Sequence, residues 1–127
     1  MAMGDGKHIL VLEDEPAVQT LIKKQLTAHG FNVTIAGDGL DGLMKLESLK
    51  PDLIICDVMM PNLDGIEFVK AIKTRNLTDH IPVIFLTAKT DPRSMIEGIN
   101  VGARFYVTKP FQIDDLLGKV RRALSGK

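Results

Sequence analysis

Three short stretches of this 127-residue chain, Ile9-Leu10-Val11-Leu12, Leu53-Ile54-Ile55-Cys56 and Val83-Ile84-Phe85-Leu86, contain no polar side chain capable of ionising at neutral pH and almost no alternation. A strand with one face in water alternates apolar and polar residues, so near-continuous Ile, Val and Leu requires cover on both faces. That requirement points to a central parallel sheet with helices packed on either side. Two further β-branched or aromatic runs, Phe31 to Ala36 and Phe105 to Thr108, bring the predicted strands to five.

Between the strands, apolar residues recur at helical spacing: Val18, Leu21, Ile22 and Leu26; Leu40, Leu43 and Met44; Ile66, Val69 and Ile72; Met95, Ile96 and Ile99. A last helix is the clearest, with Ile113, Leu116, Leu117, Val120 and Leu124. Pro16 and Pro92 stand where a first helical turn tolerates proline, and Gly30 and Pro51 follow predicted helix ends. Right-handed crossovers between parallel strands leave few arrangements for five βα units, and the common doubly wound order is 2-1-3-4-5. The predicted fold is therefore α/β, a doubly wound (βα)5 parallel sheet in that order. Without an internal repeat or linker-like tract, residues 1–127 read as one domain.

Charge and cysteine content remove several function classes. Sixteen Lys and Arg offset sixteen Asp and Glu, so no net field draws the chain to nucleic acid or to anionic lipid. Cys56 is the single cysteine, and His8, His29 and His80 match no Cys/His metal spacing, which suits a reducing cytoplasm. No apolar run is long enough to cross a bilayer or to form a signal peptide, so a soluble protein is expected.

In doubly wound sheets, ligands bind beyond the carboxyl ends of the strands where strand order reverses, here between strands one and three. The residues expected at those ends are Glu13 and Asp14, Asp57, Thr87 and Lys109. Three carboxylates gathered at one edge repel one another unless their pKa values rise or a hard cation neutralises them. Mg²⁺ suits a half-open acidic cup, because it keeps several waters and takes only one or two carboxylates.

Each residue also has a plainer reading. Asp14 can cap the helix that starts near Pro16, Glu13 can be a solvated carboxylate, Thr87 can serve a turn, and Lys109 can be a surface ammonium. Asp57 is harder to explain this way, since it directly follows an apolar strand and emerges beside the acidic pair.

The stretches ILVLEDEP at 9–16, PDLIICDVMMPNLDGIEF at 51–68, IPVIFLTA at 81–88 and GARFYVTKPF at 102–111 together resemble bacterial two-component response-regulator receiver domains, and they run in order over essentially the whole chain. The resemblance implies a flavodoxin-like, CheY-like topology and a signalling phosphoacceptor that assists its own phosphorylation and dephosphorylation rather than a conventional enzyme. It casts Asp57 as the nucleophile that forms an aspartyl phosphate, supplied by a sensor histidine kinase, a histidine phosphotransfer protein or a small donor such as acetyl phosphate. Asp14, Asp57 and the backbone carbonyl of Met59 would bind Mg²⁺, with Glu13 acting through water. Lys109 would pair with phosphoryl oxygens, and the Lys109–Pro110 bond is expected to be cis.

Thr87 and Tyr106 would form the switch: Thr87 bonds a phosphoryl oxygen, and Tyr106 turns inward to fill the vacated space. The surface altered is that of the helix around Met95 and Ile99, the fifth strand and the last helix, offered to a downstream protein, an output domain or a second copy in a phosphorylation-dependent dimer. Glu13 departs from the Asp common at its position, keeping the charge but lengthening the reach. Met59 and Lys89, two residues beyond Asp57 and Thr87, offer no acidic or amide group to position water, so a long-lived phosphate is expected.

Three rivals remain in view. A phosphatase of the haloacid dehalogenase type needs a second Asp where Met59 stands. A flavodoxin-like cofactor binder needs a phosphate-cradling first loop, which the acidic LEDEP repels. A degenerate receiver kept as a docking or dimerisation scaffold would not need the Asp57, Thr87 and Lys109 set.

Overall fold

Successive residues of the central strands face opposite helical layers. Leu10, Leu12, Ile54, Cys56 and Phe85 belong to one buried cluster, while Ile9, Val11, Leu53, Ile55, Ile84 and Leu86 belong to the other. The uninterrupted apolar runs are thus the period-two geometry of strands that have no solvent face.

The protein is described by a computed structural model over residues 6–75, 81–88 and 102–125. Its elements are β1 (His8–Leu12), α1 (Pro16–Ala28), β2 (Asn32–Ala36), α2 (Gly39–Leu46), β3 (Leu53–Asp57), α3 (Gly65–Thr74), β4 (Val83–Ala88), β5 (Phe105–Lys109) and a last helix (Ile113–Leu124). The strands form one parallel five-stranded sheet in the order β2-β1-β3-β4-β5, as expected. The helix expected around Met95 to Ile99, with Pro92, and also Lys89, lies outside the described residues.

One helical layer is α1 and the last helix. Ile22 and Leu26 of α1 join Leu116, Leu117, Val120 and Ala123 against the odd-numbered strand residues of β1, β3 and β5. The opposite layer is α2 and α3, with Leu43, Leu46, Ile66, Phe68, Val69 and Ile72.

The apolar stripe expected on α2 is rotated. Leu43 is buried, but Leu40 is 52% and Met44 68% exposed. The seated face consists of Gly39, Gly42, Leu43 and Leu46. A Cβ on Gly42 would lie 2.6 Å from Leu12 Cδ2 and 3.0 Å from Phe68 Cε1, so the absent side chain lets α2 approach the sheet and turns Leu40 and Met44 outward.

Helix starts are set locally. Pro16 occupies the first turn of α1, and the N-cap is Glu15, not Asp14, so the capping role considered for Asp14 falls away. Asp64 caps α3 in a capping box with Glu67, and Asp38 caps α2 by accepting from Asp41 N at 2.8 Å.

Candidate functional site

The strands reach one or two residues further than their apolar runs. Asp57 and Lys109 are the last residues of β3 and β5, and Thr87 is the penultimate residue of β4, whereas the sequence placed all three just beyond their strands. Ladder pairing sets this, since Asp57 is in register with Leu86, Thr87 with Thr108 and Ala88 with Lys109. Leu12 is in register with Cys56, which brings Glu13 beside Asp57 at the point where strand order reverses.

Four of the expected residues meet there. Lys109 Nζ donates to Asp57 Oδ2 at 2.7 Å and to Glu13 Oε1 at 2.8 Å, and stands 3.6 Å from Glu15 Oε1. Carboxylate oxygens of Glu13, Asp14 and Asp57 all lie within 4.8 Å of one another. Asp57 is 4% exposed and Glu13 is fully buried, whereas Asp14 is exposed. Asp57 Oδ1 accepts from Met59 N at 3.1 Å, and Glu13 Oε2 accepts from Glu15 N at 3.0 Å. Gln19 on α1 donates its side-chain amide to the main-chain oxygen of Glu13 and so fastens the β1–α1 loop.

Burial pushes the Glu13 carboxyl above its ordinary pKa, against the opposing pull of the Lys109 hydrogen bond. For Lys109, burial pulls downward, but the hydrogen bonds to Asp57 and Glu13 prevail and hold the ammonium above its ordinary value. The pocket is therefore a charged assembly in which one ammonium serves at least two carboxylates. Three hard oxygen donors this close, one of them open to water, fit a small divalent cation.

Two features of the β3–α3 loop were not foreseen. Asn62 has φ of +70° and donates from Nδ2 to Asp38 Oδ2 at 2.9 Å, tying the loop to the start of α2. Asparagine tolerates that left-handed backbone, a signal that the sequence carries only weakly. Gly65 opens α3 so close to β3 that a Cβ would strike the Asp57 carbonyl oxygen and lie 2.9 Å from Val58 Cα. The main chain at Asp57 is thus backed by a helix start that admits no side chain.

Thr87 is buried at 1% exposure, one residue beyond the register partner of Asp57. Tyr106 is half-buried, with its ring centroid 6.1 Å from that of Phe85. Its hydroxyl is enclosed without a hydrogen-bond partner among the described residues, and burial raises its pKa. The Lys109–Pro110 peptide is cis, as expected. Beside Lys109 an apolar groove of 410 Å³ runs between Val18, Leu21, Pro110 and Phe111, with Glu15 at its edge.

Comparison with known proteins agrees with this geometry. The family described as response regulator receiver domain matches residues 9–121. The alkaline phosphatase synthesis transcriptional regulatory protein PhoP of Bacillus subtilis is 41% identical over 119 residues, which cover 94% of this chain and 49% of PhoP. The chain spans about half the length of the curated relatives it matches. Among solved structures, the chemotaxis response regulator CheY4 of Vibrio cholerae superposes with a TM-score of 0.88 at 34% identity, covering 94% of this chain and 99% of CheY4. The receiver domain of a sensor histidine kinase of Pseudomonas aeruginosa, with a magnesium ion coordinated in its active-site cleft, superposes with a TM-score of 0.87 at 30% identity, covering 94% and 98% of the two chains. With the strand order, the acidic edge and the match over residues 9–121 in agreement, the chain belongs to the receiver-domain family of two-component response regulators.

Proposed function

We propose that Asp57 accepts a phosphoryl group, with Mg²⁺ held by Asp14, Asp57 and the Met59 backbone carbonyl and with Glu13 acting through water. The observation that carries this reading is the setting of Asp57. Its carboxylate sits at the end of a buried strand, almost out of water, within 4.8 Å of two other carboxylates and 2.7 Å from an ammonium. A divalent cation held by these residues would supply positive charge against the incoming phosphoryl group. The magnesium-bearing Pseudomonas receiver supports the choice of ion.

An oxygen of Asp57 attacks phosphorus, the bond to the donor's leaving group breaks, and that group departs with its electron pair. Lys109, already aimed into the pocket, supplies a positive charge to the phosphoryl oxygens, and the Thr87 hydroxyl offers a hydrogen bond to one of them. The added charge of about −1.5 to −2 then rearranges Thr87 and Tyr106. Movement of Tyr106 changes the surface around β5 that a downstream protein, an output domain or a second copy reads. The donor in the cell is a sensor histidine kinase or a histidine phosphotransfer protein, and the groove lined by Val18, Leu21, Pro110 and Phe111 gives such a protein an apolar footing next to Lys109. Action in the cytoplasm is consistent with the lone reduced cysteine and with the absence, among the described residues, of a helix long and apolar enough to span a membrane. The chain is a signalling domain that assists its own phosphorylation and dephosphorylation.

Incubation with Mg²⁺ and acetyl phosphate, followed by intact-mass measurement, tests the reading. The wild type should gain one phosphoryl group and Asp57→Asn none. An unmodified wild type would favour a docking scaffold. Met59 is 63% exposed and offers no group to orient water, so the adduct should persist; rapid metal-dependent loss would remove the long-lifetime part alone.

A further inference from the structure

Residues 58–64 carry the chain from β3 to α3 and include Met59, whose backbone carbonyl belongs to the proposed ligand set. The base of this loop is closed where Gly65 N donates to Val58 O at 2.9 Å. Met59 N donates to Asp57 Oδ1 at 3.1 Å, but its side chain is exposed, so packing holds it little. The tip of the loop is gripped from another element. Asn62 Nδ2 donates to Asp38 Oδ2 at 2.9 Å while Asp38 Oδ1 accepts from Asp41 N at 2.8 Å, so one carboxylate both caps α2 and holds the loop. Gly39 allows the approach, since a Cβ there would lie 2.5 Å from Leu63 O and 2.8 Å from Leu63 Cβ. Asn62 keeps φ at +70°, a backbone that glycine adopts at no steric cost; what asparagine adds is the amide that reaches Asp38.

We propose that Asp38 and Asn62 form a clasp that makes the start of α2 a support for the loop after Asp57, and so are positioning residues for the cation taken up there. The inference rests on the cation-binding reading above. With its tip free, the loop samples arrangements in which the Met59 carbonyl is out of place. A cation taken only by the competent arrangement then binds more weakly, in proportion to the fraction lost. The coupling is reciprocal, so a cation that fixes the loop also firms the start of α2.

Mn²⁺ titration followed by electron paramagnetic resonance of the free ion tests the clasp on folded protein without any phosphorylation step. Asp38→Ser keeps an N-cap oxygen but is too short to reach Asn62, and Asn62→Gly keeps the left-handed backbone without the amide. Each should weaken Mn²⁺ binding by about threefold to tenfold, the scale of one modest hydrogen bond. In the Asn62→Gly background, Asp38→Ser should change binding by less than about twofold, which is what a remote, screened charge leaves once the clasp is gone. Equal weakening in both backgrounds, or a lowered urea midpoint with unchanged Mn²⁺ affinity in either single variant, overturns the clasp and leaves the cation site standing. Failure of the wild type to bind Mn²⁺ at all overturns both readings. In metal-free protein, Asp38→Ser should speed hydrogen exchange at Met59 N by about threefold or more, although the sequence of the loop is untouched. Unchanged exchange there overturns the proposal.

Discussion

Lys109 Nζ and Asp57 Oδ2 lie 2.7 Å apart although 52 residues separate them in sequence. The two stand at the ends of strands that do not touch, with β4 between them, so only the long lysine side chain can close the gap.

Lys109→Met should therefore leave Glu13 and Asp57 facing each other with little solvent. We expect a loss of about 1–3 kcal/mol in the metal-free protein, as when one partner of a mostly buried charge pair is removed. Urea unfolding with and without Mg²⁺ checks it, and the metal should restore part of the loss.

Gly65→Ala forces a methyl group into the Asp57 carbonyl and Val58 backbone. The start of α3 must shift, costing about 1–3 kcal/mol, and the rate of phosphorylation from acetyl phosphate should fall because Asp57 moves with it. Gly118, in the last helix, faces open space. There the same replacement should stabilise the protein by about 0.5–1 kcal/mol. Thermal or urea midpoints of the two variants should move in opposite directions.

On α2, Leu43→Ala should cost about 2–4 kcal/mol and Met44→Ala less than about 0.5, since the first residue is buried and its neighbour is 68% exposed. Equal losses in urea would show that the helix is rotated from the orientation described.

Acid should loosen the start of α2. The hydrogen bond from Asp41 N, and then that from Asn62, lowers the pKa of Asp38, while the Lys45 hydrogen bond lowers that of Asp41. Carboxyls whose folded pKa is depressed stabilise the native state above their unfolded value, near about 3.9, and that contribution is lost as pH falls through the folded value. The stability gap between wild type and Asp38→Asn, which keeps a capping oxygen but cannot titrate, should accordingly narrow below about pH 4. A gap constant from pH 6 to pH 3 would contradict this.

The sheet and the acidic edge were legible because each rests on contiguous residues: Leu53 to Cys56 announces a doubly covered strand, and Asp57 marks where it ends. What stayed hidden depends on distances across the fold. Nothing local in the sequence says that Glu13 turns toward Lys109 rather than toward water, or that Asn62 reaches Asp38. The orientation of α2 was misjudged because two glycines, invisible to an apolar-periodicity count, form the seated side of that helix.

The hydroxyl of Tyr106, without a hydrogen-bond partner among the described residues, has a consequence for how firmly its ring is held. A phenol enclosed without an acceptor carries a desolvation penalty that disappears once the ring reaches water or a new partner. The resting arrangement around β5 is therefore held less firmly than its packing alone would give. Any setting of the ring that lets the hydroxyl reach water would be relieved of that penalty.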